Sequence, residues 1–206
     1  MEFAELERLI KTRRSIRTFE DRDVPEDLIR RAIDVATWAP NGGNFQGWQF
    51  VVVKSREVIG RIADAVWERA DAMASWPESR AFGDAAERWK LTLDFIRQAP
   101  ALVCVLIGTY ASSADRLMRA RGEADPIALE MIEARRFGNS RVQSGAAAIA
   151  YMMLAFHQTG LGTTWMTGPL QAKRLIEEII GAQEPFELMA IVPVSYPSEE
   201  PGPGWR

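Results

Sequence analysis

The chain has 206 residues, of which 47% are hydrophobic and 26% charged, and a formal net charge of −3. That length and mix suit one globular domain spanning 1–206 with a sizeable core, and they exclude a disordered chain. The acidic balance offers no global attraction to nucleic acid or to an anionic membrane, so any basic site has to be local.

Phe3, Leu6, Leu9 and Ile10 recur at helical spacing, which predicts a first helix ending at Arg13 and Arg14. Its early acids and missing apolar centre are not those of a secretory signal, and the chain is expected to be cytoplasmic. VPEDL opens a second helix, with Pro25 at the first helical position and Glu26 and Asp27 at the positive dipole end; it stops before Pro40. Gln49 to Lys54 predicts a β-branched strand, followed by a helix capped by Ser55 and reaching about Ala74. SWPESRAFGD reads as a structured loop or lid, and a helix follows it to Gln98.

Ala101 to Ile107 is a continuous apolar strand containing the single cysteine, Cys104. One cysteine rules out an internal disulfide and suits a reducing compartment; in this run it reads as a small buried hydrophobe. A polar connection to about Asp125 comes next, then a helical stretch from Pro126 with a break near Gly138. Gly145 to His157 is apolar nearly all round, which predicts a central helix, buried or at a subunit interface. Thr163 to Met166 and Leu188 to Tyr196 are the remaining strand candidates, separated by a short helix that Gly181 closes. The apolar runs near residues 101 to 108 and 145 to 156 fall short of the ~20 residues a membrane span needs. Four short strands among more helix predict an α+β chain around a small sheet.

Familiar catalytic sets are missing. The only histidine, His157, ends a buried helix and reads as structural, so no histidine-rich metal cluster can be built. Ser144 lacks the glycine pattern of a nucleophile elbow, Cys104 has no histidine beside it, and GLGTTW at 160 to 165 lacks the third glycine of a dinucleotide fingerprint.

What remains is anion-binding and amide chemistry. RRSIR sets Arg13, Arg14 and Arg17 around Ser15, and guanidinium forks match phosphate oxygens; a solvated basic turn at a helix C-terminus is the alternative. In APNGGNFQGWQFVVVK, Asn44 and Gln46 stand two apart among Gly42, Gly43 and Gly47. In an extended segment both amides would face one side, where a donor and an acceptor suit the edge of a heteroaromatic ring. An asparagine-glycine turn leading into a strand is the alternative.

RRSIRTF followed by APNGGNFQGWQFVVV, then RVQSGAAAIAYMMLAFHQTGLGTTWM and AIVPVSYPSEEP, resembles the FMN-dependent nitroreductase family. The resemblance implies a nitroreductase-like α+β fold: a small, mainly antiparallel sheet of four to five strands wrapped by helices. It also implies an intertwined homodimer with FMN at the interface. It places Arg13, Arg14 and Ser15 at the FMN phosphate and ribityl chain, and Arg17 near N1 and O2 of the ring, where a cation eases reduction. Pro40, Asn41, Asn44 and Gln46 would reach the flavin of the partner subunit. Backbone N–H groups of Thr167 and Gly168 would meet flavin N5, and Arg206 would lie near the phosphate. Asn41 and Gly47 depart from the family's usual serine and proline. Trp76 and Phe82 are candidates for a substrate-selecting lid, and Trp89 for core packing. The implied activity is two-step hydride transfer through flavin N5, from NADH or NADPH to a nitroaromatic, quinone or similar flat acceptor. Reductive dehalogenation, substrate oxidation, flavin breakdown and flavin binding without turnover are the other readings of the same motifs.

Overall fold

The computed structural model describes residues 2–198 and Gly202. Four strands, β1 (Trp48–Val53), β2 (Ala101–Ile107), β3 (Gly162–Thr163) and β4 (Glu187–Ser195), form one antiparallel sheet in the order β1-β2-β4-β3. Around it lie α1 (Phe3–Thr12), α2 (Glu26–Thr37), α3 (Arg56–Ala74), α4 (Ala85–Leu91), α5 (Ser113–Arg121), α6 (Pro126–Gly138), α7 (Ser140–Gln158) and α8 (Lys173–Ile180).

β2 explains the arrangement. Both of its edges are paired and both of its faces are covered, so all seven residues are buried and the sequence shows no alternation. Ala101, Val103, Val105 and Ile107 pack with α2 and α7, whereas Leu102, Cys104 and Leu106 pack with α3 and α8. On α7, Ile149, Met152 and Phe156 are fully buried, each stabilising the fold by about 1.5–3 kcal/mol. Cys104 is inaccessible, and burial pushes its thiol pKa up to about 12. Met189 is the bulge residue of β4: Val105 faces Ala190 and Leu106 faces Leu188. The apolar stripe of α1 is left largely uncovered by the described residues, with Phe3 78% and Ile10 51% exposed.

Most elements fall where periodicity puts them. Ser55 caps α3, its hydroxyl accepting from the Val58 N–H at 3.4 Å, and Gly181 closes α8 at φ 68°. Four expectations change. The connection after β2 contains α5, nucleated by a capping box between Ser112 and Asp115. The helix expected to reach Gln98 ends at Leu91 and continues as a 3-10 turn over Asp94–Gln98. The strand expected over Thr163 to Met166 shrinks to Gly162–Thr163, with Met166 retained as an isolated bridge to Ile191. Pro25 caps α2 from outside its first turn. Among the described residues, no helix is long and apolar enough to cross a membrane.

Candidate functional site

Beyond α1 the basic segment runs alongside β3. Ser15 forms a parallel bridge with Thr163, the Ile16 N–H donates to the Thr163 carbonyl at 3.1 Å, and the Thr164 hydroxyl donates to the Ile16 carbonyl. Ile16 is buried against Gly162, where an added Cβ would lie 2.6 Å from Ile16 Cγ1. With Ile16 turned inward, its neighbours Ser15 and Arg17 are exposed.

Arg13 and Arg14 are half-buried and line a cleft of about 150 Å³ with His157, Gly160, Leu161 and Pro197. Arg14 Nη1 donates to the carbonyls of Lys11 and Arg13 at 2.6 and 2.9 Å, while its Nε is buried without a hydrogen-bond partner among the described residues. A buried donor left so costs about 1–3 kcal/mol and marks a place for an acceptor. His157 Nε2 lies 2.9 Å from the Thr12 hydroxyl. Burial first, then the charges of Arg13 and Arg14, hold the His157 pKa below its ordinary value, which disfavours a further positive charge beside the arginines.

Arg17 lies 6.0 Å from the centre of the Phe95 ring, and Phe95 packs on Phe19 at 5.9 Å. Leu93, two residues earlier, stands 3.1 Å from where a Cβ of Gly168 would be. Met166 is pinned to Ile191 by two backbone hydrogen bonds of 3.0 and 3.1 Å, which sets the exposed Thr167 at the start of the Gly168–Ala172 turn. The fold therefore brings RRSIR and the Thr167–Gly168 corner to one region, although Ile16 and Thr164 are 148 residues apart in the chain. Two further buried donors without partners, Trp165 Nε1 and Gln171 Nε2, flank that corner and went unpredicted. The tryptophan in TTWM was their one legible signal, since a buried indole N–H normally finds an acceptor.

The amide loop is not extended. Asn41 organises it, accepting the Gln46 N–H at 2.9 Å and donating to the Ala39 carbonyl at 3.2 Å. Gly42–Asn44 is a 3-10 turn, and Asn44 and Gln46 both take φ 50°. The two amides still meet, Gln46 Nε2 donating to Asn44 Oδ1 at 3.2 Å, because the turn and not strand alternation brings them together. Pro40 is exposed at the start of this loop. The Gly42 N–H donates to the Ser144 hydroxyl at 3.2 Å, and Phe45 packs on Tyr110 at 5.1 Å. Gly43, at φ 61°, leaves no room for a side chain: its Cβ would sit 2.6 Å from the Tyr110 hydroxyl.

Ser144 and His157 belong to opposite ends of α7. At ~1.5 Å rise per residue the amide loop and the basic cleft are roughly 20 Å apart along that helix. Trp76 and Phe82, at the 3-10 turn Pro77–Phe82, are 56% and 68% exposed, whereas Trp89 packs against the core. Arg206 lies outside the described residues. Among those described, no cluster of His, Cys, Asp or Glu could hold a metal.

A model of the Nitroreductase family matches residues 10–196, which takes in both the arginine segment and the amide loop. The chain belongs to the nitroreductase family. A provisionally named NADH dehydrogenase/NAD(P)H nitroreductase of Methanothermobacter thermautotrophicus is 29% identical over 94% of this chain and 78% of its own. An iodotyrosine deiodinase of Thermotoga neapolitana is 27% identical over 93% and 88%. A BluB-like flavoprotein of Clostridium difficile 630 superposes with a TM-score of 0.85 at 28% identity, over 100% of this chain and 95% of its own. The nitroreductase fold and the α+β class expected from the motifs are thus those of the molecule.

Proposed function

We propose that this chain is an FMN-dependent oxidoreductase that works as a homodimer. It would draw reducing equivalents from NADH or NADPH and deliver them to a nitroaromatic, quinone or similar flat acceptor. The observation that carries the reading is the junction of Arg13, Arg14, Ser15 and Arg17 with the Thr163–Gly168 segment, two stretches far apart in sequence held together by β3. Residues at this junction fit a phosphorylated flavin. Arginines line a cleft, and a buried guanidinium nitrogen of Arg14 lacks an acceptor among the described residues.

Arg13, Arg14 and Ser15 would bind the phosphate and ribityl chain, and Arg17 would hold a positive charge at the pyrimidine edge. Backbone N–H groups at Thr167 and Gly168 would orient the ring. Pro40, Asn41, Asn44 and Gln46 would come from the second copy, because within one chain they stand at the far end of α7. Bound FMN would supply the redox chemistry, accepting and releasing hydride. Support for this role comes from the family, from the names of its relatives and from the likeness to a flavoprotein. The test is the absorbance spectrum of fresh protein before and after anaerobic NADPH. Yellow protein that bleaches is expected, and colourless protein that takes up no FMN refutes the proposal.

A second reading, reductive dehalogenation, is favoured by the likeness to iodotyrosine deiodinase. Iodide released from 3-iodotyrosine by the reduced protein, with no turnover of nitroaromatics, would select it.

A further inference from the structure

Helices α5 and α6 and the start of α7 enclose a cleft of about 1180 Å³ that the flavin reading leaves unused. Tyr110 and Arg141 line both this cleft and the small pocket beside the amide loop, so the two spaces adjoin. Met118 and Leu129 give the cleft an apolar wall, and Arg119, Arg135, Arg136 and Arg141 give it a cationic one.

Pairing within the cleft is uneven. Asp115 is held by Arg135, which with the Ser112 cap keeps its carboxyl well below the usual range. Glu133 is paired with Arg136 at 2.5 Å, and Arg141 is paired with Glu187 of β4. Arg119 has neither an ion pair nor a side-chain hydrogen bond among the described residues. Asp115 and Glu133 are the only acids among the described residues that line the cleft, and with Arg141 paired to Glu187 the guanidinium of Arg119 is left to give the wall net positive charge although the chain as a whole is acidic. A planar guanidinium beside apolar side chains suits a flat ligand with an anionic edge.

We propose that this cleft binds aromatic compounds carrying a carboxylate or phosphate, with Arg119 pairing the anion, and so selects what reaches the amide-loop side of the flavin site. The proposal rests on the oxidoreductase reading for its biological use, though not for the binding itself. Two sources have this chemistry: a carboxylated aromatic acceptor, and the 2′-phosphorylated form of the dinucleotide donor.

Calorimetric titration of the purified protein with 4-nitrobenzoate and its neutral analogue 4-nitrobenzamide separates charge from shape. Nitrobenzoate should bind about tenfold more tightly, the scale of one charge-assisted contact, with the gap narrowing in high salt. Arg119→Gln should abolish the gap and Arg119→Lys should retain part of it. Arg116→Gln, the same charge change on α5 but outside the cleft lining, should leave it intact. The same series with NADPH and NADH assigns the anion to the donor if the Arg119-dependent gap appears there instead. Equal binding within both pairs, or a gap that Arg119→Gln leaves untouched, overturns the proposal. Flavin absorbance of the same samples keeps the two ideas apart: yellow protein without a gap refutes only the cleft proposal, and colourless protein with one refutes only the FMN reading.

Discussion

Replacing Gly162 by alanine tests whether β3 holds the arginine segment in place. The backbone there is not left-handed, so the expected cost is steric. The new Cβ would lie 2.6, 2.8 and 2.9 Å from Cγ1, Cβ and Cγ2 of Ile16, all atoms of a buried, β-branched side chain that cannot swing aside. Overpacking of this kind costs about 1–3 kcal/mol. Moving Ile16 also weakens the bonds from its N–H to the Thr163 carbonyl and from the Thr164 hydroxyl to its own carbonyl, each worth about 0.5–1.5 kcal/mol. The expected destabilisation is about 2–3 kcal/mol, read by urea unfolding at fixed protein concentration, with Tm falling by roughly 5–10 °C. In an Ile16→Ala background the same change should cost at least about 1 kcal/mol less, because the two side chains compete for one space. A loss under about 0.5 kcal/mol, or an equal loss in both backgrounds, would show that the contact does not position the segment.

Cys104 should resist iodoacetamide in the native protein and react only on unfolding, since its thiol is buried and its pKa is pushed up to about 12; mass spectrometry of labelled samples reads this directly. For His157 the folded-state pKa lies below the ordinary 6.5, so the unfolded chain takes the proton first. Its contribution to stability is therefore present above about pH 6.5 and lost as pH falls below it, and His157→Gln should flatten the decline seen by chemical denaturation in that window. Gly43→Ala forces a side chain into φ 61° against the Tyr110 hydroxyl and should cost about 1–2 kcal/mol. Differential scanning calorimetry should show part of that loss recovered when Tyr110→Phe is added.

Legibility followed the range of the interaction. β2 and α7 could be read because burial on all sides leaves an unbroken apolar run, and α3 and α8 because their ends carry a serine cap and a closing glycine. α5 was missed although Ser112 and Asp115 spell its capping box, since the helix buries only Met118 and offers little apolar periodicity. At the amide loop, composition announced a special conformation but not which one. An extended segment and a turn bring Asn44 and Gln46 together equally well, and the choice lies in hydrogen bonds of Asn41 that no spacing rule encodes. That Arg17 and Gly168 share one region was legible only through the family resemblance, and the place of Phe95 beside them was not legible at all, because contacts across so much chain leave no local pattern.

The placement of charge along α7 suggests why the proposed site would need two copies. Arg13 and Arg14 stand by its C-terminal end, where cations are favoured, and the uncharged amide loop stands by its N-terminal end. At roughly 20 Å these ends exceed the ~8 Å Debye length, so neither group feels the other within one chain. A two-fold pairing that lays the basic end of one α7 beside the amide end of the other would keep the two RRSIR segments apart, one at each site. The uncovered apolar stripe of α1, next to that basic end, gives such a pairing a hydrophobic surface to bury. An arrangement that juxtaposed the two RRSIR segments would set six guanidinium groups together with no acid among them. The two-fold pairing that separates the RRSIR segments is therefore the one their charge favours.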